Sequence, residues 1–205
     1  MPNWCSNHIA INGDVETIKE IKRILTKPFI KPDSSADLIK RRDEVLQNTS
    51  PEDVDRILNE YNTKIEHLKM QESRCLTAGE PGVFKKLVGI APDISLAEYN
   101  NQGWYDANID YWGTKWDIDF DEYMWNLDDD DYMSANFDTA WSPPEGFCKA
   151  LFLKYPGLTE IELTYEECGC DFAGKLTLLR DVDGEMFANE VTYPYEEGIY
   201  RLDPD

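Results

Sequence analysis

Two runs of alternating residues, set on either side of four consecutive aspartates, constrain this chain more than any other feature. In the first, Asp117, Asp119 and Asp121 alternate with Ile118 and Phe120. In the second, Tyr132, Ser134, Asn136 and Asp138 alternate with Met133, Ala135, Phe137 and Thr139. Period-two alternation predicts strands with one buried face. The segment between them holds Asp128, Asp129, Asp130 and Asp131, whose charges cannot be buried unpaired. The spacing therefore predicts a β-hairpin with an acidic loop. After it comes Trp141-Ser142-Pro143-Pro144-Glu145. Here Ser142 suits an N-cap, Pro143 the first helical position and Glu145 a capping box. A helix is expected from there to Gly157, with Phe147, Leu151 and Tyr155 as its apolar stripe.

Upstream, Trp4 to Gly13 reads as a strand with His8 on the face opposite Ile9 and Ile11. Asp14 then caps a helix whose inward stripe is Val15, Ile18, Ile21 and Leu25, stopped by Pro28 and Pro32. Ser34 opens a charged helix, and Ser50-Pro51 opens another in which Val54, Ile57, Leu58, Tyr61, Ile65 and Leu68 follow heptad-like spacing. The short connection predicts an antiparallel helical hairpin, an insertion over 29–75. From Cys75 to Asn101 glycines and prolines break every pattern, and Trp104 to Trp112 reads as a short helix or an irregular aromatic segment. Downstream, Ile161, Leu163 and Tyr165 alternate with Glu160, Glu162 and Glu166 in another strand. Residues 175–180 and 185–193 make a final hairpin around the two-residue turn Asp183-Gly184.

Without the insertion the order is strand, helix, strand, strand, helix, strand, which is the split β-α-β plan of ferredoxin-like folds. The expected fold class is α+β: one ferredoxin-like domain over residues 1–205. It has an antiparallel sheet, two helices on one face, the helical-hairpin insertion and an additional C-terminal β-hairpin. Right-handed crossovers leave the other sheet face open, a face many ferredoxin-like proteins use to bind, although the fold alone assigns nothing.

Charge narrows the partners. The formal net charge is −21, and all of it lies in residues 88–205, where 27 acidic side chains meet six basic ones. Such a field repels nucleic acid and anionic membrane and attracts cationic partners. Direct nucleic-acid binding is not expected. No apolar run approaches the roughly 18 residues of a membrane span. Five cysteines at irregular spacing argue for a reducing cytoplasm rather than a disulfide framework.

Four phrases carry a family resemblance: Pro2-Asn3-Trp4-Cys5-Ser6-Asn7, Tyr111-Trp112-Gly113-Thr114-Lys115-Trp116-Asp117, Phe137-Asp138-Thr139-Ala140-Trp141-Ser142-Pro143-Pro144, and Glu166-Glu167 followed by Phe172-Ala173-Gly174. Together they resemble the YubB-like family of small phage- and plasmid-borne proteins with a ferredoxin-like domain. The resemblance assigns structural roles to Trp4, Asn7, Trp112, Gly113, Trp116, Trp141, Pro143, Phe172 and Gly174. It implies a mobile-element origin and a bacterial host cytoplasm. Cys168-Gly169-Cys170 departs from the family pattern, which more often has Pro-Gly before the aromatic residue.

Catalytic motifs are absent from the sequence: no nucleophile elbow, phosphate loop or zinc-protease phrase occurs. Asp117 and Asp138 on neighbouring strands make a possible acid–base pair, but solvated strand-face acids are the commoner case, and no enzyme activity is assigned. Cys168 and Cys170 with Cys5 or His8 make an incomplete zinc set, and the aspartate run lacks the layout of a calcium loop. No metal or cofactor is expected. Trp112, Trp116 and Trp141 are expected to be at least partly buried. The functional expectation is a protein-binding module of phage or plasmid origin, extending to a nucleic-acid mimic that inhibits a host defence or DNA-processing protein. Its contact residues would be Asp117, Asp119, Asp121, Glu122, the run Asp128 to Asp131, Glu160, Glu162, Glu166 and Glu167, against a host protein with a basic surface. The alternative is an enzyme or small-ligand binder that uses the open sheet face.

Overall fold

Ten residues, Trp4–Gly13, form β1 at the centre of a six-stranded sheet in the computed structural model, which describes residues 3–28, 35–74, 81–181 and 183–195. β1 pairs antiparallel with β3 (Tyr132–Ala140) on one side and β4 (Leu158–Glu167) on the other. Beyond β4 come β5 (Phe172–Arg180) and β6 (Met186–Tyr193), and beyond β3 only the two-residue β2 (Trp125–Asn126). The sheet order is β2-β3-β1-β4-β5-β6, antiparallel throughout.

Alternation sorts each strand into two faces. Ile9, Ile11, Met133, Ala135, Ile161, Leu163, Leu176 and Leu178 are buried on one of them. α1 (Val15–Thr26) and α7 (Glu145–Lys154) cover that face with Ile18, Ile21 and Leu25, and with Phe147, Leu151 and Phe152. Asp14 caps α1 as its residue type predicts, accepting the Thr17 N–H at 2.7 Å. Val15 is the exception in the predicted stripe and stays exposed.

Two short helices complete the first of two compact units, residues 1–27, 81–94 and 104–205: α4 (Val83–Leu87) and α6 (Trp104–Trp112). α4 lies in the stretch whose breakers hide any pattern, yet it buries Val83, Phe84 and Leu87. Phe84 meets Phe147 at 4.3 Å, Trp112 at 5.8 Å and Phe137 at 6.2 Å between ring centroids.

The second compact unit comprises residues 28–80 and 95–103. It holds α2 (Ser35–Gln47) packed on α3 (Val54–Arg74), with Arg42 donating to Asn62 at 3.1 Å, and α5 (Leu96–Glu98) running into a π-helical turn, Tyr99–Gly103. Ser50 does not cap α3. Its hydroxyl bonds Asp53, and Asp53 O accepts the first helical N–H, from Ile57. The predicted Pro32 stop, the Ser34 cap and Cys75 lie outside the described residues, as does the Leu68 side chain. Among the described residues, no helix is long and apolar enough to cross a membrane.

Three local expectations are corrected. Residues 117–121 form no strand, because Ile118 O accepts Val83 N–H at 2.8 Å and the segment runs against α4 instead of β3. α7 starts at Glu145 with Pro144 in the cap position, and the Ser142 hydroxyl donates to Gly113 O at 2.6 Å rather than to the helix. β5 and β6 are closed by Asp181 N–H to Glu185 O at 3.0 Å, so Asp183-Gly184 is not a two-residue turn. Gly184 has φ +86, which suits a glycine-bulge hairpin.

Candidate functional site

The face without helices is the candidate site. Register puts Trp4, Ser6, His8, Ala10 and Asn12 of β1 on it, beside Asp138, Asn136, Ser134 and Tyr132 of β3 and Glu166, Thr164, Glu162 and Glu160 of β4. The helical face is apolar and this one is polar, as the alternation requires. Ser6 Oγ donates to Asp138 at 2.8 Å, His8 Nδ1 lies 2.9 Å from Asn136 Oδ1, and Asn12 donates to Glu160 at 3.2 Å. From β5, Lys175 pairs with Glu162 at 2.6 Å.

A depression of about 540 Å³ opens over this face, lined by Ser6, His8, Met124, Asn136, Asp138 and Glu166 among others. Asp138 and Glu166 stand opposite Ser6 from either side, on the two strands that flank β1. Among the described residues neither carboxylate takes part in an ion pair. At the same end, Trp4 is 53% exposed and packs on Trp116, 39% exposed, with centroids 6.1 Å apart. Lys115 sits 4.6 Å above the Trp116 ring, so this aromatic cluster already accommodates an ammonium group.

Of the acidic residues singled out from the sequence, Glu160, Glu162 and Glu166 come together here. The others do not. Glu167 follows Glu166 and therefore points to the opposite face, where it is buried. Burial pushes its carboxyl up. Hydrogen bonds from the Cys170 thiol, the Gly169 and Cys170 N–H groups and the Asn3 amide outweigh that and hold it below the usual range. Asp117 accepts N–H bonds from Phe84, Lys85 and Ile118 at 2.7, 3.0 and 2.9 Å, so it caps α4 and faces no partner. Burial raises its carboxyl against those bonds. Asp117 and Asp138 consequently form no acid–base pair on neighbouring strands. Asp121 accepts from Tyr123 N–H in a 3-10 turn over Glu122–Met124, while Asp119 and Glu122 are exposed on the same connection. The aspartate run turns toward α1: Lys22 donates to Leu127 O and Asp129 O, and Lys19 pairs with Asp130 at 3.7 Å.

The zinc set is not assembled. Cys5 is buried on the helical face with its thiol pushed up to about 12, chiefly by burial, while Cys168 and Cys170 are exposed in the β4–β5 turn. Among the described residues no three metal-ligating side chains converge. Trp112 is buried, but Trp141 is 45% exposed and, at φ +74, strained for a bulky residue. Asn7 is buried and its amide donates to Cys5 O, Phe137 O and Thr139 Oγ1. Gly174 lies beneath Tyr165, whose ring atoms a Cβ there would meet at 2.4 Å. The loss expected for Gly174→Ala is about 1–3 kcal/mol of stability, because the ring must shift in a packed core; chemical denaturation measures it.

The sequence points to Asp138 only as an acid–base partner of Asp117 and to His8 only as a zinc ligand, and it does not single out Ser6 or Asn136. The signal was available: in a split β-α-β sheet the first strand lies between the third and fourth, which sets Asp138 and Glu166 on either side of Ser6.

The comparisons agree with this topology. Residues 114–198 match the family model described as the ferredoxin-like domain in Api92-like protein. The domain is ferredoxin-like. The crystal structure of protein api92 from Yersinia pseudotuberculosis is similar over 93% of this chain and 98% of that one, with a TM-score of 0.50 and 12% sequence identity, a likeness of fold. A search of curated proteins finds no match. The YubB-like name and the phage or plasmid origin have no support in these comparisons.

Proposed function

We propose that the ferredoxin-like domain is a binding module whose open sheet face takes up a cationic segment of a protein partner. What carries this reading is the pair Asp138 and Glu166, two carboxylates without a pairing cation among the described residues, on the two strands that flank β1 and in one depression. Charge complementarity names the partner's chemistry, and exposed Trp4 offers an aromatic wall for a lysine or arginine side chain. A ligand pocket for a small molecule is usually more enclosed and apolar than this open, polar face. A nucleic-acid mimic needs one continuous acidic array. The carboxylates at 117, 128–131 and 167 do not join the open-face set, so the proposal is confined to a peptide-like cation. If the YubB-like phrases carry that family's origin with them, the partner is a basic protein of the host cell.

The test is titration of the full chain with a short arginine- and lysine-rich peptide, followed by tryptophan fluorescence. Neutralising the pair with Asp138→Asn and Glu166→Gln should weaken binding about tenfold or more, equivalent to roughly 1.4 kcal/mol, and added salt should release the peptide. Neutralising Asp128 and Asp129 to asparagine should leave binding within about twofold, since those side chains lie elsewhere. Equal losses in both variants, or no loss in the first, would overturn the assignment.

A further inference from the structure

The turn joining β4 to β5 is Cys168-Gly169-Cys170-Asp171, and it presents two exposed thiols two residues apart. Its conformation is held from below. The buried Glu167 carboxylate accepts the Gly169 N–H at 2.8 Å and the Cys170 N–H, and the Asn3 amide donates to Cys170 Sγ at 3.4 Å. A Cβ at Gly169 would lie 2.6 Å from Asn3 Nδ2 and 2.8 Å from Glu167 Oε1, so any other residue there would displace the two side-chain ends that hold the turn. Three consecutive residues span at most about 7 Å when extended and less in a turn. Disulfides bridge Cα atoms roughly 4.4–6.8 Å apart. A one-residue spacing therefore lets the two Cα atoms reach a disulfide's separation, whereas Cys5 and Cys148 are fully buried.

We propose that Cys168 and Cys170 form a thiol–disulfide exchange site, closing to an intramolecular disulfide at the expense of a low-molecular-weight disulfide such as oxidised glutathione. The two cysteines have distinct roles. The Cys170 thiol is hydrogen-bonded to the Glu167 carboxylate, which keeps its proton in place, so Cys168 attacks first. The Cys168 thiol gives up its proton, its sulfur bonds one sulfur of the small disulfide, and the other leaves as a thiolate. Cys170, deprotonated in turn, then attacks the Cys168 sulfur and expels the second thiolate. The protein loses two electrons and two protons. One disulfide is reduced to two thiols. Closing the ring draws Cys170 Sγ away from Asn3 and Glu167, so the oxidised turn surrenders contacts to a buried carboxylate.

The experiment exposes the full chain to glutathione buffers of graded ratio, traps remaining thiols by alkylation and maps the tryptic peptide 155–175, which contains both cysteines and no other. The expected result is a wild-type peptide lighter by two hydrogens and inaccessible to the alkylating reagent in oxidising buffer. In Cys170→Ala the same peptide should instead carry one glutathione on Cys168. Two alkylated thiols throughout the series would overturn the proposal. So would separate glutathione adducts on both sulfurs with no internal bridge. The wild-type mass shift requires no variant to fold, and the readout is independent of whether the open face binds a cation.

Discussion

Replacing Trp112 with alanine is expected to remove about 3–5 kcal/mol of stability, the range for deleting a fully buried large aromatic side chain. Trp112 is 1% exposed, its ring meets Phe84 edge-on, and its indole N–H donates to Gly89 O at 3.0 Å. Alanine would leave a cavity beside Phe84, which also contacts Phe137 of β3 and Phe147 of α7, and would strand the Gly89 carbonyl. The melting temperature should fall by about 6–20 °C for a chain of this size. Trp116→Ala is the internal contrast. That side chain is 39% exposed and meets Trp4 with the rings tilted, so the expected loss is about 1 kcal/mol. Denaturant unfolding of both variants checks the pair, and similar losses would contradict the burial difference.

Asp117→Ala carries the second large effect, about 2–3 kcal/mol at neutral pH. Three N–H groups, from Phe84, Lys85 and Ile118, would lose their acceptor, and unsatisfied buried donors are costly. The pH dependence has a definite sign. Burial raises the folded carboxyl above its ordinary value of 3.8, so folding favours the protonated form. Its contribution is full below the unfolded value and falls away as pH rises through the folded one. The stability gap between wild type and Asp117→Ala should accordingly widen as pH is lowered from 7 toward 4. A gap that narrowed would mean the carboxylate, not the acid, is the form folding prefers. Glu167 has the opposite sign: its depressed carboxyl stabilises the fold above the ordinary value of 4.5 and loses that contribution as pH falls through the lower folded one.

Asp117 also explains where reading the chain from its residues fails. Ile118 and Phe120 do pack against the core, so the apolar half of the alternation in 117–121 is real, although Asp117 is drawn in against α4 as well. Period two does not say what the backbone pairs with, and here Ile118 O bonds the start of α4. A five-residue helix between a Pro-Gly pair and a Gly-containing break leaves too few turns for a 3.6-residue period to emerge, so α4 was invisible. Ser142 and Pro143 had the chemistry of a helix start. The Ser142 hydroxyl instead found Gly113 O, a carbonyl 29 residues away that local sequence cannot supply.

The residues by themselves determined the strands β1, β3, β4, β5 and β6 and the helices α1 and α7, because each must bury one face and its apolar spacing records which one; the second strand of the ferredoxin-like plan, expected at 117–121, is instead the two-residue β2. They also determined the acidic balance of the second half of the chain. Only the tertiary structure decided which of those acids share a surface. Carboxylates adjacent in sequence part company when a strand sends Glu166 to solvent and Glu167 inward, and carboxylates far apart meet when β1 brings Asp138 and Glu166 to either side of Ser6. The physical reason is that charge is unconstrained by local periodicity: a polar side chain is satisfied equally by water, a helix N-terminus or a neighbouring strand, and long-range pairing alone selects among them.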